Sequence, residues 1–128
     1  MNKCFIIFTF IVTLLLLSSC KDSSNFSESE FSKRNYDKVT FTNYANNKQI
    51  YIKDSIIISR FVEHIIKADK SNASEIGIDP PTGQLTFLVK NQAIYSFEFF
   101  EGSLIIDNIY INTSFMVNRD EILIETSN

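Results

Sequence analysis

Few side chains in this chain are of a type that does chemistry, and their spacing limits what they can do. His64 is the only histidine. An imidazole acting as base or metal ligand needs partners, and no cysteine or second histidine stands at ligand spacing from it. Cys4 and Cys20 are the only cysteines; Cys4 lies inside an apolar N-terminal run and Cys20 directly follows it. Beyond that run a single thiol is left, so zinc, haem and iron–sulfur ligation are not expected, nor is an intrachain disulfide. Glu98 and Glu101 flank the end of an aromatic segment, and Asp120-Glu121 lie near the C-terminus. Two carboxylates can share acid and base work when a fold brings them together. At turns and chain ends they read as solvated surface. Gly77, Gly83 and Gly102 are too far apart for a phosphate-cradling loop, and no nucleophilic-serine motif is present. No catalytic residue, cofactor site or metal site is therefore expected, and the domain reads as non-enzymatic.

Charge excludes other roles. The chain holds 12 Lys and Arg against 15 Asp and Glu. Only Lys3 is charged before Cys20, which leaves 11 basic and 15 acidic residues from Cys20 onward, a net charge of about −4. Nucleic-acid binding calls for a basic face, and no nucleic-acid partner is expected. The same balance argues against holding anionic lipid surfaces by charge.

Positioning elements can be read from periodicity. Val39 and Phe41 alternate with Lys38, Thr40 and Thr42, Asn46-Asn47 is a turn signal, and Ile50 and Ile52 alternate around Tyr51: a hairpin. Asp54-Ser55 can cap a helix over Ile56–Ala68. Its apolar stripe is Ile57, Phe61, Ile65 and Ala68, widened by Ile58 and Val62, with Glu63 and Lys67 paired on the polar side. His64 falls at the rim of that stripe and reads as structural. Asp69–Ser74 reads as a polar loop and Asp79–Gly83 as a stiff turn. Leu85, Phe87 and Val89, a break at Asn91-Gln92, and Tyr95, Phe97 and Phe99 form the clearest hairpin. Leu104–Ile106 and Ile109–Ile111 form another around Asp107-Asn108. In the last segment, Thr113–Glu125, Phe115, Met116 and the Ile122–Ile124 run fit a short helix or a final strand, and the segment is read as a short helix near Asn118–Leu123. Tyr95, Phe97 and Phe99 share a face and read as core, while Phe100 points the other way and, with Tyr110, is the candidate for an exposed aromatic patch. The order ββαββββ plus a terminal element gives an α+β class, an antiparallel sheet of four to six strands packed on one amphipathic helix. In outline it resembles small α+β envelope domains of the β-lactamase-inhibitor-protein or cystatin-like kind.

Residues 1–20 have the layout of a secretory signal: basic Lys3, an apolar stretch of 14 residues from Cys4 to Leu17, then small residues. The stretch is short of the roughly 20 residues that span a bilayer. Leu17-Ser18-Ser19-Cys20 resembles the lipobox of bacterial lipoproteins, in which an apolar residue and two small ones precede an obligatory cysteine. The resemblance implies a diacylglycerol on the Cys20 sulfur, cleavage before Cys20 and acylation of the new amino group. Two or three acyl chains anchor a protein stably where one does not. Lys21-Asp22 matches in part the Lys-acidic signal of surface-exported Bacteroidota lipoproteins, which implies an outer-membrane destination more than an inner one. For a lipoprotein the triplets at Asn25, Asn72 and Asn112 carry no glycan.

The expected organisation is a lipoprotein signal peptide over 1–19, a lipidated flexible tether over 20–35, and one α+β domain over 36–128. Residues from Cys20 on number 109, enough for one core without metal or disulfide support. The expected function is a cell-envelope lipoprotein, anchored to the membrane through lipid on Cys20, whose non-catalytic domain binds or inhibits another envelope protein. The alternative is a small envelope enzyme or small-ligand receptor with a site built from scattered polar residues.

Overall fold

The computed structural model describes residues 26–75, 77, 79–118 and 121–124. Cys4, Cys20 and Asn25, with the whole proposed signal segment, lie outside the described residues, as does Asp120. Two helices are described, α1 (Glu28–Lys33) and α2 (Ser55–Lys67). Nine strands follow in chain order as β1 (Lys38–Asn43), β2 (Gln49–Ile52), β3 (Asp69–Asn72), β4 (Gly83–Val89), β5 (Gln92–Phe100), β6 (Ser103–Ile106), β7 (Ile109–Asn112), β8 (Phe115–Asn118) and β9 (Glu121–Ile124). Seven of them make one sheet in the order β2-β1-β4-β5-β6-β7-β3, and β8 and β9 make a separate pair. Every pairing is antiparallel. The α+β class holds, with more strands than the expected four to six and a second helix.

Local chemistry explains the turns. Lys90-Asn91 and Asp107-Asn108 both have positive φ at each position. That is the two-residue hairpin turn whose twist matches the flanking strands, and Asn and Asp tolerate it best. The β4–β5 turn thus falls one residue before the expected Asn91-Gln92, and a register shift between Phe87 and Leu88 accommodates the difference. In the β1–β2 turn the Asn43 side chain accepts from Ala45 N and the Asn46 side chain from Lys48 N, both at 2.9 Å.

Strand alternation puts Val39, Phe41, Leu85, Phe87, Phe97, Phe99, Leu104 and Ile111 on one face, all buried. Helix α2 leaves one edge strand, β2, and delivers the chain to the other, β3, covering this face on the way. Asp54 caps it, accepting from Ile56 N at 2.8 Å and Ile57 N at 3.3 Å. Its buried stripe is Ile58, Phe61 and Ile65, so Ile57, expected inside, is 40% exposed. Lys70 Nζ closes the other end by donating to the Ile66 and Ala68 carbonyls at 3.0 and 2.9 Å.

Three expectations are corrected. Residues 28–33 were expected in a period-free tether. They form α1, capped by Ser27, because Phe31 is fully buried against Tyr36, Phe87, Tyr95 and Phe97. Phe26 joins that cluster, 5.4 Å from the Phe31 ring, so the packed domain includes Phe26 and α1, ahead of the expected start at Tyr36. Asp69–Asn72, expected as loop, is edge strand β3 paired to β7. The expected terminal helix is the hairpin β8–β9, in which Phe115 packs on Phe61 at 4.9 Å and Ile122 is buried. Two short strands bury these side chains where a helix over Asn118–Leu123 would leave Phe115 outside it.

Candidate functional site

The face of the sheet opposite α2 carries Thr40, Thr42, Gln49, Tyr51, Gln84, Thr86, Ser96 and Glu98. These polar side chains alternate with the core positions, and the register places Leu88, Phe100, Ile105 and Tyr110 on the same face towards its ends. Two tyrosines stand out on and beside it. Tyr51 is 55% exposed on edge strand β2, and Tyr44 is 45% exposed just past β1. The Lys38 ammonium sits 5.5 Å over the Tyr51 ring and donates to the Asn91 side chain at 3.3 Å. The Tyr51 hydroxyl bonds the Gln49 side chain. The Tyr44 hydroxyl donates to Glu98 Oε2 at 3.0 Å. Partial burial first, then that bond and the carboxylate charge, push the Tyr44 phenol up from its ordinary value.

Among the described residues strand β2 is hydrogen-bonded on one side only, by β1. Its outward edge adjoins an open cleft of about 400 Å³ at the β1–β2 turn end of the sheet. Phe41, Ile50 and Val117 supply the apolar side of the cleft; Asn46, Lys48 and Gln49 supply its polar, exposed side. Amides and one ammonium over an apolar base suit hydrogen bonding to a polar chain or backbone. They do not amount to an acid–base pair.

Two other depressions lie near α1. One of about 300 Å³ is lined by Phe26, Glu30, Tyr95 and Asp107 among others. A broader one of about 540 Å³ holds Glu28, Lys70, Asn72 and Asn108, and in it Lys70 pairs with Glu28 at 3.2 Å. That pair ties α1 to β3.

The side chains singled out in the sequence separate as follows. His64 is half-buried, its ring 6.1 Å from Phe115. Glu98 is bonded to Tyr44, while Glu101 stands exposed in the β5–β6 turn and Glu121 exposed on β9. Phe97 and Phe99 are core, as the alternation predicts. Phe100 does point to the opposite face but is buried, beside its equally buried β6 partner Ser103, and Tyr110 is half-buried. Phe100 and Tyr110 therefore do not form the expected exposed patch, and among the described residues the exposed aromatics are Tyr44 and Tyr51. Tyr51 was legible as the polar-face member of the Ile50–Ile52 alternation. Among the described residues no three His, Cys, Asp or Glu side chains are grouped to hold a metal ion, and no helix is long and apolar enough to cross a membrane. No protein-family model, curated protein or solved structure matches the chain.

Proposed function

We propose that this chain is a cell-envelope lipoprotein, anchored by lipid on Cys20, whose non-catalytic domain binds another envelope protein. The anchor is supported by the Leu17-Ser18-Ser19-Cys20 lipobox behind an apolar run. The binding role is supported by one observation above the others: Tyr44 and Tyr51 stand exposed beside a sheet edge whose outer side is unpaired among the described residues. Tyrosine offers large contact area at low entropic cost and is enriched in protein interfaces. An open edge strand can accept an added strand from a partner.

Two measurements test this reading. A Cys20→Ala variant should lose palmitate labelling and partition out of detergent; retention of both would remove the anchor. Wild-type protein and a Tyr44→Ala/Tyr51→Ala variant should then be compared in affinity capture from envelope extract. A partner held by the wild type and lost by the variant supports the binding role. No partner, together with a small molecule that raises the melting temperature, would instead favour a small-ligand receptor. That second reading draws on the 400 Å³ cleft, whose Asn46, Lys48 and Gln49 could hold a polar ligand.

A further inference from the structure

The register of β2 fixes which of its backbone groups face outward. At the turn Asn43 N donates to the Lys48 carbonyl at 2.9 Å, and the ladder then runs Thr42↔Gln49, Phe41↔Ile50, Thr40↔Tyr51 and Val39↔Ile52. Hydrogen-bonded and non-hydrogen-bonded pairs alternate along an antiparallel ladder. The N–H and C=O groups of Ile50 and Ile52 therefore turn inward to β1, and those of Gln49 and Tyr51 turn outward. Among the described residues no strand pairs with them.

The two edges of the sheet differ. At the β3 edge Asn72 Oδ1 accepts from Ser74 N and Asn108 Nδ2, Lys70 pairs with Glu28, and the strand itself is Asp-Lys-Ser-Asn. A short polar strand of this kind discourages added pairing. Strand β2 instead has half-buried Ile50 and Ile52 on its core side. Helix α2 begins directly after it, and Ile57 lies one helical turn before fully buried Phe61, on the same stripe. Ile57 is nevertheless 40% exposed. The stripe thus has apolar surface left over beside this edge.

Charge selects the kind of strand that fits. One register step past Val39↔Ile52, Lys38 and Lys53 come opposite each other, and Lys48 stands at the other end of β2. None of the three is in a salt bridge among the described residues. The carboxylates nearest in the chain are already engaged: Asp37 accepts from Lys90 N, and Asp54 from Ile56 N and Ile57 N. The edge is cationic on a chain of net charge −3.

We infer that β2 pairs with an extended segment of a partner protein in which acidic residues alternate with apolar ones. This deepens the binding role proposed above and rests on it. The partner backbone bonds Gln49 and Tyr51. Its apolar side chains continue the core face beside Ile50, Ile52 and Ile57, and its carboxylates lie on the Tyr51 side, against Lys38 and Lys53. Edge lysines hinder sheets from joining edge to edge. Pairing β2 with β2 of a second copy would bring two cationic edges together, whereas an acidic strand meets opposite charge.

Peptides of fixed composition test the pairing. Labelled peptides alternating valine with glutamate, with serine or with lysine are titrated with the full chain in detergent at low salt, and fluorescence anisotropy is read. The glutamate peptide should bind up to about tenfold more tightly than the serine peptide and the lysine peptide most weakly, and salt should shrink the differences. Lys38→Glu/Lys53→Glu should reverse the order of the glutamate and lysine peptides. N-methylating one alternate set of amides in the glutamate peptide should abolish binding and N-methylating the other should spare it, because only alternate amides meet the edge. Equal affinities, no binding of any peptide, or indifference to both N-methylations overturns the inference. A dimer of the chain that the glutamate peptide dissociates assigns the edge to a second copy and overturns it too. In the envelope capture, a partner kept by Lys38→Glu/Lys53→Glu but lost by Tyr44→Ala/Tyr51→Ala overturns the strand pairing and leaves the binding role standing. No partner on the wild type overturns both.

Discussion

The Tyr36 hydroxyl donates a 2.8 Å hydrogen bond to the Phe31 carbonyl, and the two rings lie 5.4 Å apart. This contact closes the chain back on itself just after α1 and locks the N-terminal segment onto the sheet. It is why Phe26 and α1 belong to the packed domain.

Phe31→Ala should be among the costliest single truncations in the domain. The side chain is fully buried among four aromatic rings other than Phe26. Large-to-small changes at such sites cost about 3–5 kcal/mol. Urea unfolding of the two proteins measures it. A loss below about 1 kcal/mol would mean that α1 does not belong to the cooperative unit.

Tyr36 makes the fold sensitive to alkali. Burial, and after it the charge on Tyr95, raises its phenol well above the ordinary 10.0, with Arg34 opposing. A raised folded-state pKa means that the fold favours the protonated phenol. The associated stability is complete below the unfolded value near 10 and is lost as pH rises through the folded one. Unfolding free energy should therefore fall from about pH 10 upward. Tyr36→Phe should lose about 1 kcal/mol at neutral pH with the hydrogen bond and show a flatter alkaline limb. An unchanged limb would assign the alkaline loss to other groups, Tyr44 first among them.

What could be read in the sequence follows from where side chains carry a period. The three hairpins at β1–β2, β4–β5 and β6–β7 alternate cleanly and have Asn or Asp in their turns. Helix α2 has a stripe and a capping Asp54, and only the stripe's centre moved, from Ile57 to Ile58. Helix α1 was illegible because Phe26 and Phe31 are two apolar residues in a polar run, and only the aromatic pocket they fill gives them meaning. Strand β3 is Asp-Lys-Ser-Asn, with no apolar alternation; it exists because its backbone pairs with β7. The β8–β9 hairpin was ambiguous because Phe115, Met116 and the Ile122–Ile124 run fit either period. The candidate surface was harder still, since exposure of Tyr51 against burial of Phe100 depends on which strand lies at the edge. The alternation that aims Phe100 away from the core does not tell whether other chain covers it.

Gly83 should tolerate no side chain. A Cβ there would stand 2.5 Å from Phe41 Cε2 and 2.5 Å from the Thr42 carbonyl oxygen. The Phe41 ring is buried and the Thr42 oxygen is backbone, so neither can yield cheaply. Gly83→Ala should cost about 1–3 kcal/mol or more from overpacking. Gly77→Ala is the control: its Cβ meets nothing within 4 Å, and loss of chain entropy in the unfolded state should leave stability equal or up to about 1 kcal/mol higher. Parallel denaturant curves would show the contrast, and equal effects at the two glycines would refute it.

Asp54 carries the N-terminus of α2. Its Oδ1 satisfies two backbone N–H groups that the helix itself cannot. Asp54→Ala should lower stability by about 1 kcal/mol, within a range of about 0.5–2. Asp54→Asn should recover most of it, because the amide oxygen accepts the same bonds. If Asn were no better than Ala, the carboxylate charge at the helix end would be the dominant contribution instead.

Thr113 should be improvable. It is buried just before the β8–β9 hairpin, and its Oγ1 finds no hydrogen-bond partner among the described residues. A buried hydroxyl without a partner costs about 1–3 kcal/mol of desolvation, and valine has nearly the same shape without it. Thr113→Val should therefore raise the unfolding free energy by about 1 kcal/mol, read as an increase in the urea midpoint at constant slope. Thr113→Ala, which removes the methyl as well, should gain less, because the small cavity it leaves offsets the relief. A destabilised valine variant would show that the hydroxyl is bonded in solution, and would move the strain at this junction elsewhere.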